Sequence, residues 1–175
     1  PSDVTKFPII DAMLSVEREN FVPSELREAA YVDGNLSFGA GRVVFEPRTL
    51  AKMLDALDLQ SDELVLDIGA GYGYSSAVMA HIAQAVVAVE ADEAMSSDAQ
   101  VALNDAGADN VIVHLGALDA GVAEHGPYDV IAIQGGVEAI PPEIIDQLKE
   151  GGRIAALFMT GALGEVRVGL KVDGQ

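Results

Sequence analysis

A chain of 175 residues with a formal net charge of −18 is long enough for one α/β domain and too short for two of ordinary size. It contains no Cys, which excludes disulfides, thiolate metal sites and a cysteine nucleophile. No apolar run approaches the roughly 20 residues of a membrane-spanning helix, and no basic-then-apolar leader opens the chain, so we expect a cytoplasmic protein with no membrane partner.

The N-terminal region, residues 1–62, predicts helices and a loop. A first helix is indicated by apolar residues at helical spacing, namely Ile9, Ile10, Met13 and Leu14. The segment 33–41 is rich in turn residues. Pro47 can begin a further helix at its first turn. The apolar face of that helix comprises Leu50, Met53, Leu54 and Leu57.

Residues 63–175 predict an alternation of strands and helices. Short apolar strands are expected at 64–66, 86–89, 111–113, 130–133 and 154–157, with helices at 73–83 and 92–106. Continuous apolar strands separated by helices predict a mostly parallel sheet with helices on both faces, an α/β Rossmann-like fold. Ligands of such sheets bind beyond the carboxyl ends of the strands, where the strand order reverses.

The end of the chain predicts a hairpin. Residues 165–172 alternate like a half-buried strand, and Asp173-Gly174 is a dipeptide of tight hairpin turns. We expect the returning strand to have been lost by truncation, the alternative being that this hairpin is absent.

Acidic residues dominate the middle of the chain. Between Lys52 and Lys149 there is no Lys or Arg, although most of the 28 acids lie in this stretch. Such a surface repels phosphate backbones, so we expect no nucleic-acid partner. A solvated acidic surface explains the charge most simply, and charge alone identifies no ligand.

A glycine-rich loop follows the first of these strands and leads into a helix. It reads Asp67-Ile68-Gly69-Ala70-Gly71-Tyr72-Gly73-Tyr74. A dinucleotide fingerprint requires a small residue at the position of Tyr74. The pyrophosphate of a dinucleotide would also lie near the carboxylate of Asp67 with no Lys or Arg close by in the sequence, which is unfavourable. S-adenosylmethionine instead brings a sulfonium, an ammonium and one carboxylate, and Asp67 suits the ammonium or its waters. The loop therefore favours S-adenosylmethionine, bound through Asp67, Gly69, Ala70 and Gly71.

Glu90 ends the next strand, 21 residues beyond Gly69, where a carboxylate can accept hydrogen bonds from both ribose hydroxyls. Without the glycine loop before it, a glutamate at this position would be a solvated strand end as often as a ligand contact. After this glycine loop, it predicts ribose binding, and a cationic methyl donor also suits an acidic cleft.

Short sequence motifs occur in order along nearly the whole chain, at residues 18–23, 30–33, 39–41, Pro47, 65–74, 89–90, 110–113, 127–129, 140–141 and 147–153. Together they resemble the protein-L-isoaspartate O-methyltransferase family, and the block 18–23 distinguishes that family from methyltransferases in general. The resemblance implies a class I S-adenosylmethionine-dependent O-methyltransferase with an N-terminal helical extension, acting on damaged aspartyl carboxylates in proteins. It also implies cofactor contacts at Gly116 and Ala117. Because the carboxylate is itself the nucleophile, no catalytic residue is expected.

The departures from the family pattern fall in the implied substrate pocket, to which we assign Arg42, Phe45, Glu46 and Gln134. Where the family reads Gln-Thr-Ile-Ser-Gln-Pro, residues 42–47 read Arg-Val-Val-Phe-Glu-Pro. Phe45 cannot donate a hydrogen bond and Glu46 would repel an anionic acceptor, whereas Arg42 either compensates or pairs with an acid at the surface.

Two further positions differ from the family pattern. The family's Gly-Asp-Gly, whose Asp contacts the adenine amino group, reads Gly-Ala-Leu at 116–118, and only a shifted loop would let Asp119 substitute. After the next strand, the family's Thr-Ala-Ala reads Gln-Gly-Gly at 134–136.

These departures leave two alternatives open. One is a relative that methylates a different acceptor, and the other is a protein that binds the cofactor without turnover. No metal site is expected, because His81, His114 and His125 lack metal-ligand spacing.

Overall fold

The computed structural model describes residues 4–39, 42–161 and 163–175. Its helices are α1 Phe7–Ser15, α2 Pro47–Leu57, α3 Tyr74–Ala80, α4 Glu93–Asp105 and α5 Pro142–Asp146. Its strands are β1 Leu36–Gly39, β2 Arg42–Val44, β3 Leu64–Ile68, β4 Ala85–Glu90, β5 Val111–Leu115, β6 Tyr128–Val137, β7 Leu148–Thr160 and β8 Leu163–Leu170. No helix of this described part is long and apolar enough to cross a membrane.

The central sheet has the strand order β5-β4-β3-β6-β7-β8, and its neighbours run parallel except for β8, which is antiparallel to β7. The chain passes from β3 outward to β4 and β5 and then returns to β6 on the other side of β3. The order therefore reverses between β3 and β6, which is where such sheets bind ligands. The predicted α/β Rossmann-like fold of class I methyltransferases is confirmed.

The N-terminal region shares its core with the sheet. On α2 the buried residues are Leu50, Met53, Leu54 and Leu57, the face that the sequence predicts. One apolar cluster contains Phe21 and Phe45 from this region together with Val65 and Val78 from the sheet and α3. This shared core holds the N-terminal region against the sheet.

The prediction of only helix and loop before residue 63 was wrong for one segment, because β1 and β2 form an antiparallel ribbon. Leu36 pairs with Val44 and Ser37 with Val43. Each strand has only three or four residues, which is too short to show an alternating pattern. The glycine and turn residues between the two strands also suggest a loop. Residues 40 and 41, part of the predicted turn-rich segment, lie outside the described residues.

The predicted helices and strands are present with shifted ends. The helix expected at 73–83 ends at Ala80, where Asn110 Nδ2 donates to the Ala80 carbonyl at 2.8 Å. The helix expected from residue 92 begins at Glu93, because Asp92 is its N-cap and accepts from the Met95 amide. Hydrogen bonds from side chains to the free backbone groups at a helix end determine the residue at which the helix begins or ends.

The C-terminal strand β8 is mostly exposed rather than half-buried, because it lies at the edge of the sheet with β7 as its partner. The tight turn at Asp173-Gly174 is confirmed. Both residues have positive φ, 52° and 79°, and Val172 and Gln175 exchange backbone hydrogen bonds of 2.8 and 3.1 Å. Two left-handed residues and this bond pattern define a type I′ hairpin turn.

Candidate functional site

A cleft lies beyond the carboxyl ends of β3, β4 and β6, where the strand order reverses. It includes a cavity of about 250 Å³ whose walls come from the glycine loop, the end of β6, the turn after β5 and the start of β2. Its lining includes Arg42, Gly69, Leu118, Asp119, Gln134 and Ile144.

The glycine loop turns back sharply over the end of β4. The amides of Gly69 and Ala70 both donate to the Val89 carbonyl, at 2.9 and 3.1 Å. Gly69 has φ +80°, and a Cβ there would stand 3.1 Å from the Gln134 carbonyl oxygen, so both its backbone and its surroundings require glycine. The loop therefore presents backbone rather than side chains to the cleft.

Asp67 lies fully buried beneath this loop. Its carboxylate accepts hydrogen bonds from the hydroxyls of Ser75 and Ser76, both at 2.6 Å, and from Gln134 Nε2 at 2.9 Å. Burial raises the pKa of Asp67, and the three hydrogen bonds oppose that rise. Asp67 thus ties α3 and β6 to the loop, and its contact with a cofactor ammonium or its waters stays a prediction.

Glu90 is the most heavily bonded carboxylate of the cleft, and its side chain is fully buried. Its Oε2 accepts from the Gly71 amide at 2.7 Å, and its Oε1 accepts from the amides of Ala91 and Asp92 at 2.9 and 3.0 Å. Arg42 binds both oxygens, with Nη1–Oε1 at 2.7 Å and Nη2–Oε2 at 2.5 Å. Burial alone would raise the pKa of Glu90, but the bonds from Arg42 and the backbone outweigh it and hold the pKa below its ordinary value.

Arg42 begins β2 and reaches from the β1–β2 ribbon into the cleft. Its side chain is 18% exposed, and its hydrogen bond with Glu90 raises its pKa. The acid that pairs with Arg42 is therefore the carboxylate predicted to bind ribose. The sequence leaves that partner open, because no local pattern links residues 48 positions apart.

The β1–β2 ribbon, which we call the cover hairpin (residues 36–39 and 42–44), lies over the glycine loop. The ring of Phe38 meets that of Tyr72 edge-on, with centroids 4.9 Å apart. Phe38 also lies 3.2 Å from where a Cβ on Gly71 would be. This packing keeps the start of β2, and with it Arg42, beside the glycine loop.

The predicted substrate-pocket residues separate into three groups. Arg42 and Gln134 line the cavity. Phe45 is 2% exposed and belongs to the apolar core, where it borders Gly69 and Gln134 from below. Glu46 accepts from the Gly34 amide at 3.1 Å and from Thr49 Oγ1 at 3.0 Å, so its carboxylate is bonded within its own loop and helix.

The turn after β5 forms the remaining wall. The Gly116 amide donates to the Glu90 carbonyl at 3.0 Å, which places Gly116 and Ala117 next to the end of β4. Leu118 and Asp119 then line the cavity on a short 3₁₀ turn. Sequence reasoning missed Leu118 and Ile144 as lining residues, because an apolar residue after a strand has no signal that separates a pocket wall from the core.

His81 lies apart from the other two histidines, which both approach Glu124. His81 pairs with Asp11 at 3.0 Å on the surface, and His114 and His125 stand 3.9 and 3.7 Å from Glu124. Within residues 4–39, 42–161 and 163–175, no group of three or more His, Cys, Asp or Glu side chains could hold a metal ion.

Tyr74 packs rather than faces the cleft. It is 3% exposed, its ring lies 6.1 Å from that of Phe21, and the Arg18 guanidinium lies 4.8 Å from its centroid. Arg18 is itself fully buried and donates from Nε to the Ala30 carbonyl at 2.5 Å. The block 18–23 thus anchors the N-terminal region on α3.

Comparison with known proteins places these features in a family. The family model described as "Protein-L-isoaspartate(D-aspartate) O-methyltransferase (PCMT)" matches residues 3–159. The protein-L-isoaspartate O-methyltransferase of Opitutus terrae is 37% identical over 152 residues, which cover 87% of this chain and 65% of that relative. Protein-L-isoaspartate O-methyltransferase 2 of Polaromonas sp. is 38% identical over 159 residues, covering 89% and 75%. The chain thus spans about two thirds of the length of the Opitutus terrae relative.

Solved structures agree in fold. One titled protein-L-isoaspartate O-methyltransferase has a TM-score of 0.83 and 30% identity, covering 96% of this chain and 56% of that chain. Another is a putative protein-L-isoaspartate O-methyltransferase from Plasmodium falciparum in complex with S-adenosyl-L-homocysteine. It has the same TM-score at 18% identity and covers 98% and 85% of the two chains, which bears on the fold alone. On the match over residues 3–159 and the similarity to these relatives, the chain belongs to the protein-L-isoaspartate(D-aspartate) O-methyltransferase family.

Proposed function

We propose that this chain binds S-adenosylmethionine and methylates the carboxylate of isoaspartyl residues in damaged proteins. The observation that carries the proposal is the pairing of a glycine loop with a buried strand-end carboxylate, Glu90, at the point where the strand order reverses. Family membership supports the same chemistry.

The cleft fits a nucleoside with a cationic tail. Glu90 suits a vicinal diol, because a carboxylate has two oxygens that can accept from two hydroxyls. The bare backbone of Gly69 lets a ligand approach closely, and Leu118 with Ile144 offers an apolar wall for a base. Asp119, in the same cavity, is available to accept from an amino group.

The cleft is also acidic, as a sulfonium and an ammonium would require. From Met53 to Leu148 the chain supplies no Lys or Arg, so the loops after β3, β4, β5 and β6 bring no Lys or Arg, and those after β4, β5 and β6 bring the acids Asp92, Asp119 and Glu138. An anionic, partly closed cleft attracts cations and disfavours phosphate chains. This supports S-adenosylmethionine over a dinucleotide, and it supports a protein substrate rather than nucleic acid.

When bound, S-adenosylmethionine would supply an electrophilic methyl group: the acceptor carboxylate would form the new O–CH3 bond while the S–CH3 bond breaks, its electron pair staying on sulfur, so that S-adenosylhomocysteine is the leaving group. The chain therefore needs no general base, and its task is to hold the carboxylate in line and exclude water. Of the described residues that line the cavity, Arg42 is the one cation able to receive that carboxylate. Val43 and Phe45 offer no hydroxyl where the resembling family has Thr and Ser.

The experiment is methyl transfer from labelled S-adenosylmethionine to an isoaspartyl peptide and to the aspartyl peptide of the same sequence. We expect base-labile methyl ester on the isoaspartyl peptide only. Cofactor binding without label on either peptide would contradict the enzyme and favour a binding protein, and label on a neutral acceptor alone would contradict the substrate. A location in the cytoplasm stays a prediction.

A further inference from the structure

We propose that Arg42 is an internal competitor of the cofactor's ribose. Its guanidinium occupies the Glu90 carboxylate, has to leave before the nucleoside can bind there, and so sets the cofactor affinity of this chain. The inference rests on the proposed function, in which Glu90 receives the ribose hydroxyls.

The Glu90 carboxylate can accept only a limited number of hydrogen bonds. A carboxylate offers about four lone-pair positions. Five donors already use them: two from Arg42 and the amides of Gly71, Ala91 and Asp92. The three amides belong to the loop and strand end and stay in place. A diol can therefore gain both oxygens only where Arg42 releases them.

The Glu90 side chain is fully buried and that of Arg42 is 18% exposed. Removing the guanidinium without a replacement would leave the buried Glu90 carboxylate without its counter-ion and with only the three backbone amides as donors, which is unfavourable. The ribose supplies two hydroxyl donors to the same two oxygens, so the event is an exchange of donors. Part of the cofactor's binding free energy is therefore used to break the ion pair.

The Arg42 guanidinium also lies where the cofactor has to bind in the proposed function. Arg42 Nη2 stands 3.6 Å from where a Cβ on Gly69 would be, so the guanidinium lies against the backbone that the cofactor has to approach. Arg42 starts one strand of the cover hairpin, and its Cα is paired with Gly39 of the other. Its long, flexible side chain can withdraw from Glu90 while the hairpin stays folded on Tyr72.

The test compares the affinity of S-adenosylhomocysteine for wild type, Arg42→Gln and Arg167→Gln by calorimetry. Arg167 is a matched control, because it forms an exposed ion pair with Glu165 at 3.0 Å on β8. We expect Arg42→Gln to bind at least tenfold more tightly than wild type, while Arg167→Gln binds like wild type. Ligand-induced stabilisation in thermal unfolding should increase in the same order.

The other possible outcomes also distinguish competition by Arg42 from the proposed function itself. Equal or weaker binding by Arg42→Gln, with wild type binding, would overturn the competitor and leave the proposed function standing. Binding by Arg42→Gln with none by wild type would support the competitor and contradict wild-type activity. Absence of binding in every variant would contradict both. If Arg42→Gln does not fold, Arg42→Lys replaces it. Lys cannot form the bidentate contact, so tighter binding supports the proposal and unchanged binding overturns it.

Discussion

Arg42 and Glu90 form a bidentate ion pair between the cover hairpin and the end of β4, with Nη1–Oε1 and Nη2–Oε2 distances of 2.7 and 2.5 Å. The pair joins the segment 42–47, where the sequence departs from the family pattern, to the carboxylate that we propose as the ribose ligand. We therefore expect cofactor affinity, acceptor binding and the stability of the cleft to depend on the same two side chains.

Replacing Glu90 tests its role as the ribose ligand. We expect Glu90→Ala to weaken S-adenosylhomocysteine binding at least tenfold, because charge-assisted hydrogen bonds of this kind contribute about 1.5–3 kcal/mol. Calorimetry measures the change, with the exposed Glu93→Ala on the first turn of α4 as the control. Wild-type affinity in Glu90→Ala would remove Glu90 from the site.

The ion pair should also stabilise the protein in a pH-dependent way. Because the pKa of Glu90 is held below its ordinary value of 4.5, the pair's contribution is fully present above that pH. It is lost as the pH falls through the lowered folded-state pKa. Urea unfolding should show a larger difference in the free energy of unfolding between wild type and Arg42→Gln at pH 7 than at the lowest pH where both fold. A difference that grows on acidification would contradict the pairing.

Phe45 has a structural role that the acceptor motif alone does not reveal. It is 2% exposed, and the space it borders beneath Gly69 is only about 10 Å³. Phe45→Ala should lower the free energy of unfolding by about 3–5 kcal/mol, the usual cost of removing a buried aromatic ring. Urea unfolding measures this, with the exposed Phe7→Ala as control. A loss no larger than in the control would show that Phe45 is not core.

The hydroxyl donors missing from the acceptor motif should limit turnover. Because the Phe45 ring is buried, a serine at this position can reach the acceptor carboxylate only through the space that the lost ring leaves beneath Gly69. With that space open, Val43→Thr, Phe45→Ser and Glu46→Gln together should raise methylation of isoaspartyl peptide by about a hundredfold, the effect of two regained hydrogen bonds to the carboxylate. The assay belongs at low temperature, because Phe45→Ser opens the core. Robust wild-type methylation, not exceeded by the folded triple variant, would mean that Arg42 or another group already serves the carboxylate.

How far the sequence predicts this site depends on whether a signal is local. The glycine loop and the strand-end Glu90 follow one another within a single strand–helix–strand unit, so their spacing predicts their meeting. The Arg42–Glu90 contact depends on how the cover hairpin folds over the loop, and the short strands of that hairpin are themselves hidden by turn residues. Asp67 shows the same limit in another form. Its position in the motif is readable, but its burial against Ser75, Ser76 and Gln134 follows from tertiary packing.

The acidic middle of the chain predicts that nucleic acid is not bound. A gel shift at low salt, where electrostatic binding is strongest, is the demanding test. We expect no shift with DNA or RNA at micromolar protein. A clear shift would mean that the basic residues outside 53–148 form a patch strong enough to overcome the net charge of −18.

A crystal structure of this chain with S-adenosylhomocysteine would show where the nucleoside lies and which donors Glu90 holds. We expect the ribose hydroxyls on the Glu90 carboxylate, the base near Leu118 and Ile144, and the Arg42 guanidinium withdrawn from Glu90. A nucleoside bound elsewhere, with the Arg42–Glu90 pair intact, would contradict it.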